Sequence, residues 1–278
     1  MARDARPDFI EALARGLDVL RCFQPGRPVM TLSEIAGATG LARPTVRRIL
    51  LTLDDLGYVR SAERGFTLTP RVLELGMTYI NALGVWEVAR PHMQQLVAQT
   101  NESTSMAQLD GSDIVYVTRV AVPKIITLAV TIGTRFPAPA TSMGKVLLAA
   151  LPDDDLDRVL ALPGRSGITP RRQPDRASLD ASLREVRARG WALADEDLAP
   201  GIRSVATGVR DGQGRVVAAI NVTVHAAETS VRTLTEEHLP RLLRTASDIS
   251  QDWALLGSVP SVFQDARAAP VEPVKAGR

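Results

Sequence analysis

The apolar residues of this chain keep helical spacing from Phe9 to about Asn101, with one short alternating break, and from Thr104 they change to spacing two. That change of period is the strongest constraint on the fold. A helix repeats every ~3.6 residues and a strand every two, so one kind of layer cannot serve both halves. A helical head followed by a separate α+β domain is the expected arrangement, and 278 residues with 45% hydrophobic content supply cores for about two domains. No internal repeat stands out.

In the head, Phe9, Leu13, Leu17, Leu20 and Phe23 mark an amphipathic first helix that "QPGRP", Gln24 to Pro28, terminates. Leu32, Ile35 and Ala36 mark a second, short helix that Thr31 or Ser33 can cap and that Gly40 ends in the left-handed region. A third opens with Pro44 in its first turn and runs to Gly57. Two short helices joined by a glycine-containing turn have helix-turn-helix spacing. Next, "YVRSAERGFTL" alternates and breaks at "ERG", which is the pattern of a two-stranded hairpin. Three helices and a hairpin make a winged helix-turn-helix.

On the third helix Val46, Ile49, Leu50, Leu53 and Leu56 form one stripe, the face turned to the other helices. Arg47 and Arg48 then point outward, with Arg43 one turn before the first and Thr45 one turn before the second. Asp54 and Asp55 come two turns later. A cationic helix start carrying the positive end of the helix dipole suits the DNA major groove. The hairpin adds Arg60 and Arg64, expected at its tip and within reach of phosphates or the neighbouring minor groove. The bland alternative is a solvated helix face, but spacing, outward arginines and a basic wing agree. The DNA-binding set is therefore Arg43, Pro44, Thr45, Arg47, Arg48, Arg60 and Arg64. Arg71 lies past the wing and is read as surface; Cys22 is read as a small packed hydrophobe.

Residues 71 to 101 read as a connecting helix and then another, interrupted only at Gly84 and Pro91. Strands follow at Thr104 to Leu109 and Ile114 to Val120 around the turn "DGSD", and a β-branched strand at 125–132. Helices are expected at Thr141 to Ala150, Asp153 to Leu160 and Arg176 to Arg189, the last ended by Gly190. Further strands run near Trp191 to Asp195, Arg203 to Val209 and Arg215 to Val224, and a long helix at about Arg232 to Leu255 closes the domain. Strands paired through local hairpins indicate a mostly antiparallel sheet. The resulting division is a winged helix-turn-helix at 8–74, a linker helix at 75–88, an α+β domain at 89–257 and a Pro- and Ala-rich disordered tail at 258–278.

Several classes are excluded. One cysteine permits no internal disulfide, and three histidines, His92, His225 and His238, have no metal-ligand spacing, so neither a metal nor a cofactor is expected. The start carries charges throughout and no apolar run spans a membrane, so a cytoplasmic protein is expected and the sequons at Asn101 and Asn221 are chance. A net charge of +2 argues nothing about nucleic acid, so local placement must. An enzyme acting on a small acid is the rival class. It lacks support: "TSMGK" is not a nucleophile elbow, and "MGKV" is not a phosphate loop. A binding module without DNA is the second rival.

The second domain carries its own constellation. In "PAPATSMGK" two prolines stiffen the approach to a helix starting near Thr141, leaving the N–H groups of Ser142, Met143 and Gly144 as donors at a positive helix end, suited to a carboxylate. The strand "RSVATGV" can bring Ser204 close. On "AAINVTVH", Asn221 and Thr223 share one face, opposite Ile220, Val222 and Val224. A solvated sheet face is the alternative for these two, and plain packing for Met143. Lys145 and Arg203 either add positive charge to the site or lie on the surface.

These stretches resemble the IclR-type transcriptional regulators from about Phe9 to about Leu256. "FIEALARGLDVLRCF", "TLSEIAGATGLARPTVRRILLTLDDLGYV" and "FTLTPRVLELG" are similar to the family's DNA-binding half; "PAPATSMGKVLLAALP", "RARGWALADEDLAPGIRSVATGVRD" and "GRVVAAINVTVHA" are similar to its effector half. The wording of the first helix, "RRILLTL" and "LTPRVLELG" is most similar to the PcaR- and PobR-like branch that controls aromatic-acid catabolism. The resemblance implies a GAF-like effector domain, a homodimer or dimer of dimers, and a small organic acid effector of protocatechuate, 4-hydroxybenzoate or β-ketoadipate type. It implies ligand contacts at Ser142, Met143, Ser204, Asn221 and Thr223. An acid that some members use is matched here by Ala194, beside Asp195, which argues against a very small, highly polar ligand.

Overall fold

The computed structural model describes residues 8–24, 26–75, 85–123 and 130–255. The chain divides into two units, Met1–Ala82 and Leu83–Arg278.

In the first unit, α1 (Glu11–Arg21), α2 (Leu32–Thr39) and α3 (Arg43–Asp55) surround a core of Val19, Met30, Ile35, Val46, Leu50, Leu53 and Val59. Local chemistry fixes the helix-turn-helix corner. The Glu34 N–H donates to Thr31 Oγ1 at 3.3 Å while the Thr31 N–H donates to Glu34 Oε2 at 2.8 Å, a reciprocal capping box at the start of α2. Gly40 closes the helix at φ 67°. Pro44 sits in the first turn of α3, where its missing N–H costs nothing.

The wing has one more strand than the sequence suggests. β2 (Val59–Ala62) and β3 (Gly65–Leu68) form the expected hairpin, and β1 (Val29–Met30) adds to the β3 edge, giving the order β1-β3-β2. Two residues are too few for a periodic signal. Gly65 is required there: at φ +151°, an added Cβ would lie 2.4 Å from the Met30 carbonyl oxygen.

Two apolar stripes need correction. Only Val19 of α1 is fully buried, with Leu20, Cys22 and Phe23 partly so, whereas Phe9, Leu13 and Leu17 are 45%, 61% and 47% exposed. Their stripe is amphipathic, yet it is not the face that fills this core. Leu56 follows the last turn of α3 and is 51% exposed, so the buried stripe of α3 stops at Leu53.

In the second unit α4 (Val85–Thr100) runs through Pro91 without interruption. Its flanking turns bury Trp86, Ala89, Met93 and Leu96, and this packing outweighs the lost hydrogen bond. Residues 85–88, the expected end of the linker, are its first turn; 76–84 and the tail from 256 lie outside the described residues.

Six antiparallel strands follow in the order β6-β5-β4-β9-β8-β7: β4 (Ser103–Asp110), β5 (Asp113–Val120), β6 (Arg135–Pro137), β7 (Trp191–Asp195), β8 (Ile202–Arg210) and β9 (Val216–His225). β6 was not foreseen. Most of the strand expected at 125–132 lies outside the described residues, and Ile132 and Gly133 form a turn. Alanines at 107, 192, 206 and 219 on one face leave room for α5 (Ser142–Ala149), with α6 (Asp153–Leu160) and α7 (Arg176–Arg189) completing that layer. Alternation turns Met106, Val205, Ile220 and Val222 to the other face, where α4 and α8 (Leu239–Leu255) pack. The long closing helix is not uniform, because a π turn, Leu234–His238, leads into α8.

Candidate functional site

Two surfaces carry the chemistry, one in each unit. On α3, Arg43, Pro44, Arg47 and Arg48 are exposed and Thr45 is half-buried, as the helical wheel requires. The N-cap of α3 is Ala42, so no side chain neutralises its first N–H groups, and its first turn contains no acid. Arg60 and Arg64 are exposed on the wing. Arg64 occupies the turn, but Arg60 is not at the tip: it lies within β2, opposite Thr67. Among the described residues no carboxylate lies within ion-pair distance of Arg43, Arg47, Arg48, Arg60 or Arg64. Arg71 differs, since it pairs with Glu74 at 3.4 Å and covers the Tyr58 ring.

The second site is a cavity between the sheet and the start of α5, walled by Thr141, Ser142, Met143, Ser204, Asn221 and Thr223, six of the seven residues expected there. Register explains the assembly. Ser103, Thr223, Ser204 and Ala194 are cross-strand partners in one row over β4, β9, β8 and β7, so all face the same way. Ser142 Oγ and Ser204 Oγ lie 2.7 Å apart and share a hydrogen bond. Asn221 is more an organiser than an open donor. Its Oδ1 accepts from the Ser105 N–H at 3.0 Å, and its Nδ2 donates to Thr223 Oγ1 at 2.9 Å.

Gly144 is the misplaced member. Its N–H donates to the N-cap hydroxyl of Thr141 at 3.0 Å, and an added Cβ would lie 2.0 Å from the Ala138 carbonyl oxygen. It therefore serves the close packing of α5 on the preceding turn. Lys145 and Arg203 are turned away as well. Lys145 Nζ bonds Asp197 at 2.7 Å, and Arg203 Nε bonds Asp195 at 2.6 Å. Ala194, matched to an acid in some relatives of this type, is a buried apolar part of the wall.

Sequence reasoning missed Tyr116, Arg119, Glu102 and His225, which also line the cavity. Strict alternation puts Tyr116 and Arg119 on opposite faces, being three apart. The β4–β5 ladder carries a bulge, however: Ala107 pairs with Tyr116, Met106 with Thr118 and Ser105 with Arg119, leaving Val117 unopposed. Ala107 and Ser105 share a face, so their partners do too. Tyr116 packs edge-on against Phe136, centroids 5.5 Å apart, and burial pushes its hydroxyl pKa up to about 12. Burial also lowers the pKa of Arg119, against a smaller upward pull from Tyr116.

A further depression, lined by His92, Gln95, Gln99, Arg241, Arg244, Thr245 and Asp248, is polar throughout. Without an apolar wall it has nothing to hold the body of a small organic ligand.

A winged helix-turn-helix with a basic face unpaired among the described residues, carried on one chain with a domain that holds a small mixed polar and apolar cavity, is the arrangement of a one-component transcriptional regulator. The IclR helix-turn-helix domain model matches residues 12–63, and the bacterial transcriptional regulator IclR C-terminal model matches 77–251. The chain belongs to the IclR family of transcriptional regulators. It is 38% identical over 244 residues, 87% of this chain and 84% of the other, to the Pca regulon regulatory protein of Pseudomonas putida. A solved structure from Rhodococcus sp. RHA1 matches with TM-score 0.78 and 48% identity, covering 90% of this chain and all 100% of that one. An IclR homolog from Microbacterium hydrocarbonoxydans, solved in complex with 4-hydroxybenzoate, matches with TM-score 0.77 and 25% identity over 89% of this chain and 100% of its own. No helix of the described residues is long and apolar enough to cross a membrane.

Proposed function

We propose that this protein is a ligand-responsive regulator of a catabolic operon for an aromatic acid, working in the cytoplasm as a homodimer or dimer of dimers. One observation carries the DNA half: the arginines of α3 project from a helix-turn-helix with no acid among the described residues to neutralise them. In this reading Arg47 and Arg48, with Arg43, Pro44 and Thr45 around them, enter the major groove, and Arg60 and Arg64 hold flanking phosphates. The head spans 8–74, a linker 75–88 and the effector domain 89–257. The half-exposed Phe9, Leu13 and Leu17 supply an apolar face that a second copy can cover.

The effector occupies the cavity at the start of α5, held by Thr141, Ser142, Met143, Ser204, Asn221 and Thr223. The complex of the Microbacterium relative with 4-hydroxybenzoate supports an aromatic acid. Binding there shifts the spacing of two heads, which must match half-sites about 34 Å apart or a multiple of that. An enzymatic role is not part of this reading, because the Ser142 hydroxyl is hydrogen bonded to the Ser204 hydroxyl and not to an imidazole.

The test is a gel shift on the DNA upstream of the protein's own gene, at several salt concentrations, with and without 4-hydroxybenzoate. Salt-sensitive binding that the acid alters is expected. Absence of salt-sensitive binding refutes the DNA half, and binding indifferent to every aromatic acid refutes the effector half.

A further inference from the structure

The cavity contains a cation that the family-level expectation did not place there. We infer that Arg119 is the anchor for the effector's carboxylate, and that the effector carries one such group on an apolar body. The inference rests on reading the cavity as the effector site.

Four observations support it. First, Arg119 lines the cavity, and its Nη1 donates to Ser105 Oγ at 3.1 Å, which fixes the guanidinium against the polar row Arg119–Ser105–Asn221. Second, among the described residues no carboxylate lies within ion-pair distance of it, although most buried or half-buried cations nearby are paired, Lys145 with Asp197 and Arg203 with Asp195. A partly desolvated guanidinium without an anion is costly, and a bound carboxylate relieves that cost through a two-pronged, charge-assisted contact. The start of α5 offers only neutral N–H donors, so the full charge at Arg119 is the stronger partner for an acid.

Third, the rest of the wall is apolar where a ring or chain would lie: Val130, Met143, Ala194, Leu198 and Ile202. Fourth, the other ionisable wall groups do not provide for a second carboxylate. Glu102 is an acid, and the His225 Nδ1 accepts the Ala227 N–H at 3.3 Å, which leaves Nε2 as the ring's donor. That donor suits a hydroxyl. A second carboxylate would meet no second arginine or lysine among the described wall residues. The geometry thus favours a hydroxylated aromatic monocarboxylate over a dicarboxylate of β-ketoadipate type.

The experiment uses calorimetric titration of the full chain with 4-hydroxybenzoate, its neutral counterpart 4-hydroxybenzamide, and adipate as a flexible dicarboxylate. Wild type should bind the acid about tenfold or more tightly than the amide, and more tightly than adipate. Arg119→Met should lose that preference by weakening the acid alone, with a ligand-free thermal midpoint that does not fall and a folded circular dichroism spectrum; Arg119→Lys should keep part of it, having charge without the fork. If Arg119→Met does not fold, Arg119→Gln takes its place in the same comparison. Equal affinity for acid and amide, tighter binding of adipate, or a folded Arg119→Met with an undiminished preference overturns the anchor while leaving the effector reading standing. Binding of none of the three by wild type overturns the aromatic-acid effector reading itself.

Discussion

The arginines of α3 and the wing and most of those in the second unit are alike in sequence and opposite in circumstance. Those on α3 and the wing face outward without acid partners among the described residues. In the second unit most are absorbed: Arg171 by Glu196 at 2.8 Å, Arg176 by Asp157 at 2.6 Å and Asp180 at 2.8 Å, Arg187 by Asp153 at 3.0 Å, Arg215 by Asp211 at 2.7 Å. The totals, 33 basic against 31 acidic residues, hide this difference. Partner geometry, not charge count, separates a cation that holds the fold from one left for a ligand or a duplex. Arg119 is the second unit's clearest case of the latter kind.

Five variants would break or sharpen that contrast. The largest effect belongs to Leu50→Ala, which empties a fully buried site in the head core and should cost about 2–5 kcal/mol of that unit's stability. Operator binding should vanish while calorimetry still detects ligand binding by the second unit; loss of both would show that the units do not fold separately. Asn221→Leu with Thr223→Val removes the hydrogen bonds that organise the cavity wall. A response to 4-hydroxybenzoate should disappear with operator affinity intact, and a retained response would mean that this face is not the effector's.

Next, Arg47→Ala should weaken operator binding by about 1–3 kcal/mol if it reads a base. Arg187→Ala, whose charge Asp153 already engages, should change the same affinity by less than about 0.5 kcal/mol. Equal effects in a filter-binding assay would erase the contrast. The smallest effect concerns Glu34, whose carboxyl is held below its ordinary value of 4.5 by the Thr31 backbone N–H and then the Thr31 hydroxyl. A depressed folded value means that its contribution is present above the unfolded value and lost as pH falls through the folded one. Glu34→Gln should flatten the head's melting temperature against pH in that acid window and leave it almost unchanged near neutrality.

Legibility followed the range of the interactions. Thr31, Gly40, Pro44 and the outward arginines were readable because capping, left-handed termination and helical spacing act within one turn of chain. Ser204, Asn221 and Thr223 were readable because alternation survives along β8 and β9. The bulge at Val117 reverses parity on β5, so Tyr116 and Arg119 were invisible to a period-two reading. Gly144 misled because a glycine at a helix start looks like an open donor, whereas the Ala138 carbonyl sets its identity. Lys145 and Arg203 were undecidable in sequence, since Asp197 and Asp195 engage them only in the folded domain. Phe9, Leu13 and Leu17 fit a helix but not this core.

The most direct test of the central claim is the slope of log affinity against log salt for the upstream DNA, measured on wild type and on a variant with Arg43, Arg47, Arg48, Arg60 and Arg64 all changed to alanine. The account predicts a steep negative slope for wild type, shallower by about one for each phosphate-contacting arginine removed. Identical slopes and affinities for the two proteins would contradict it.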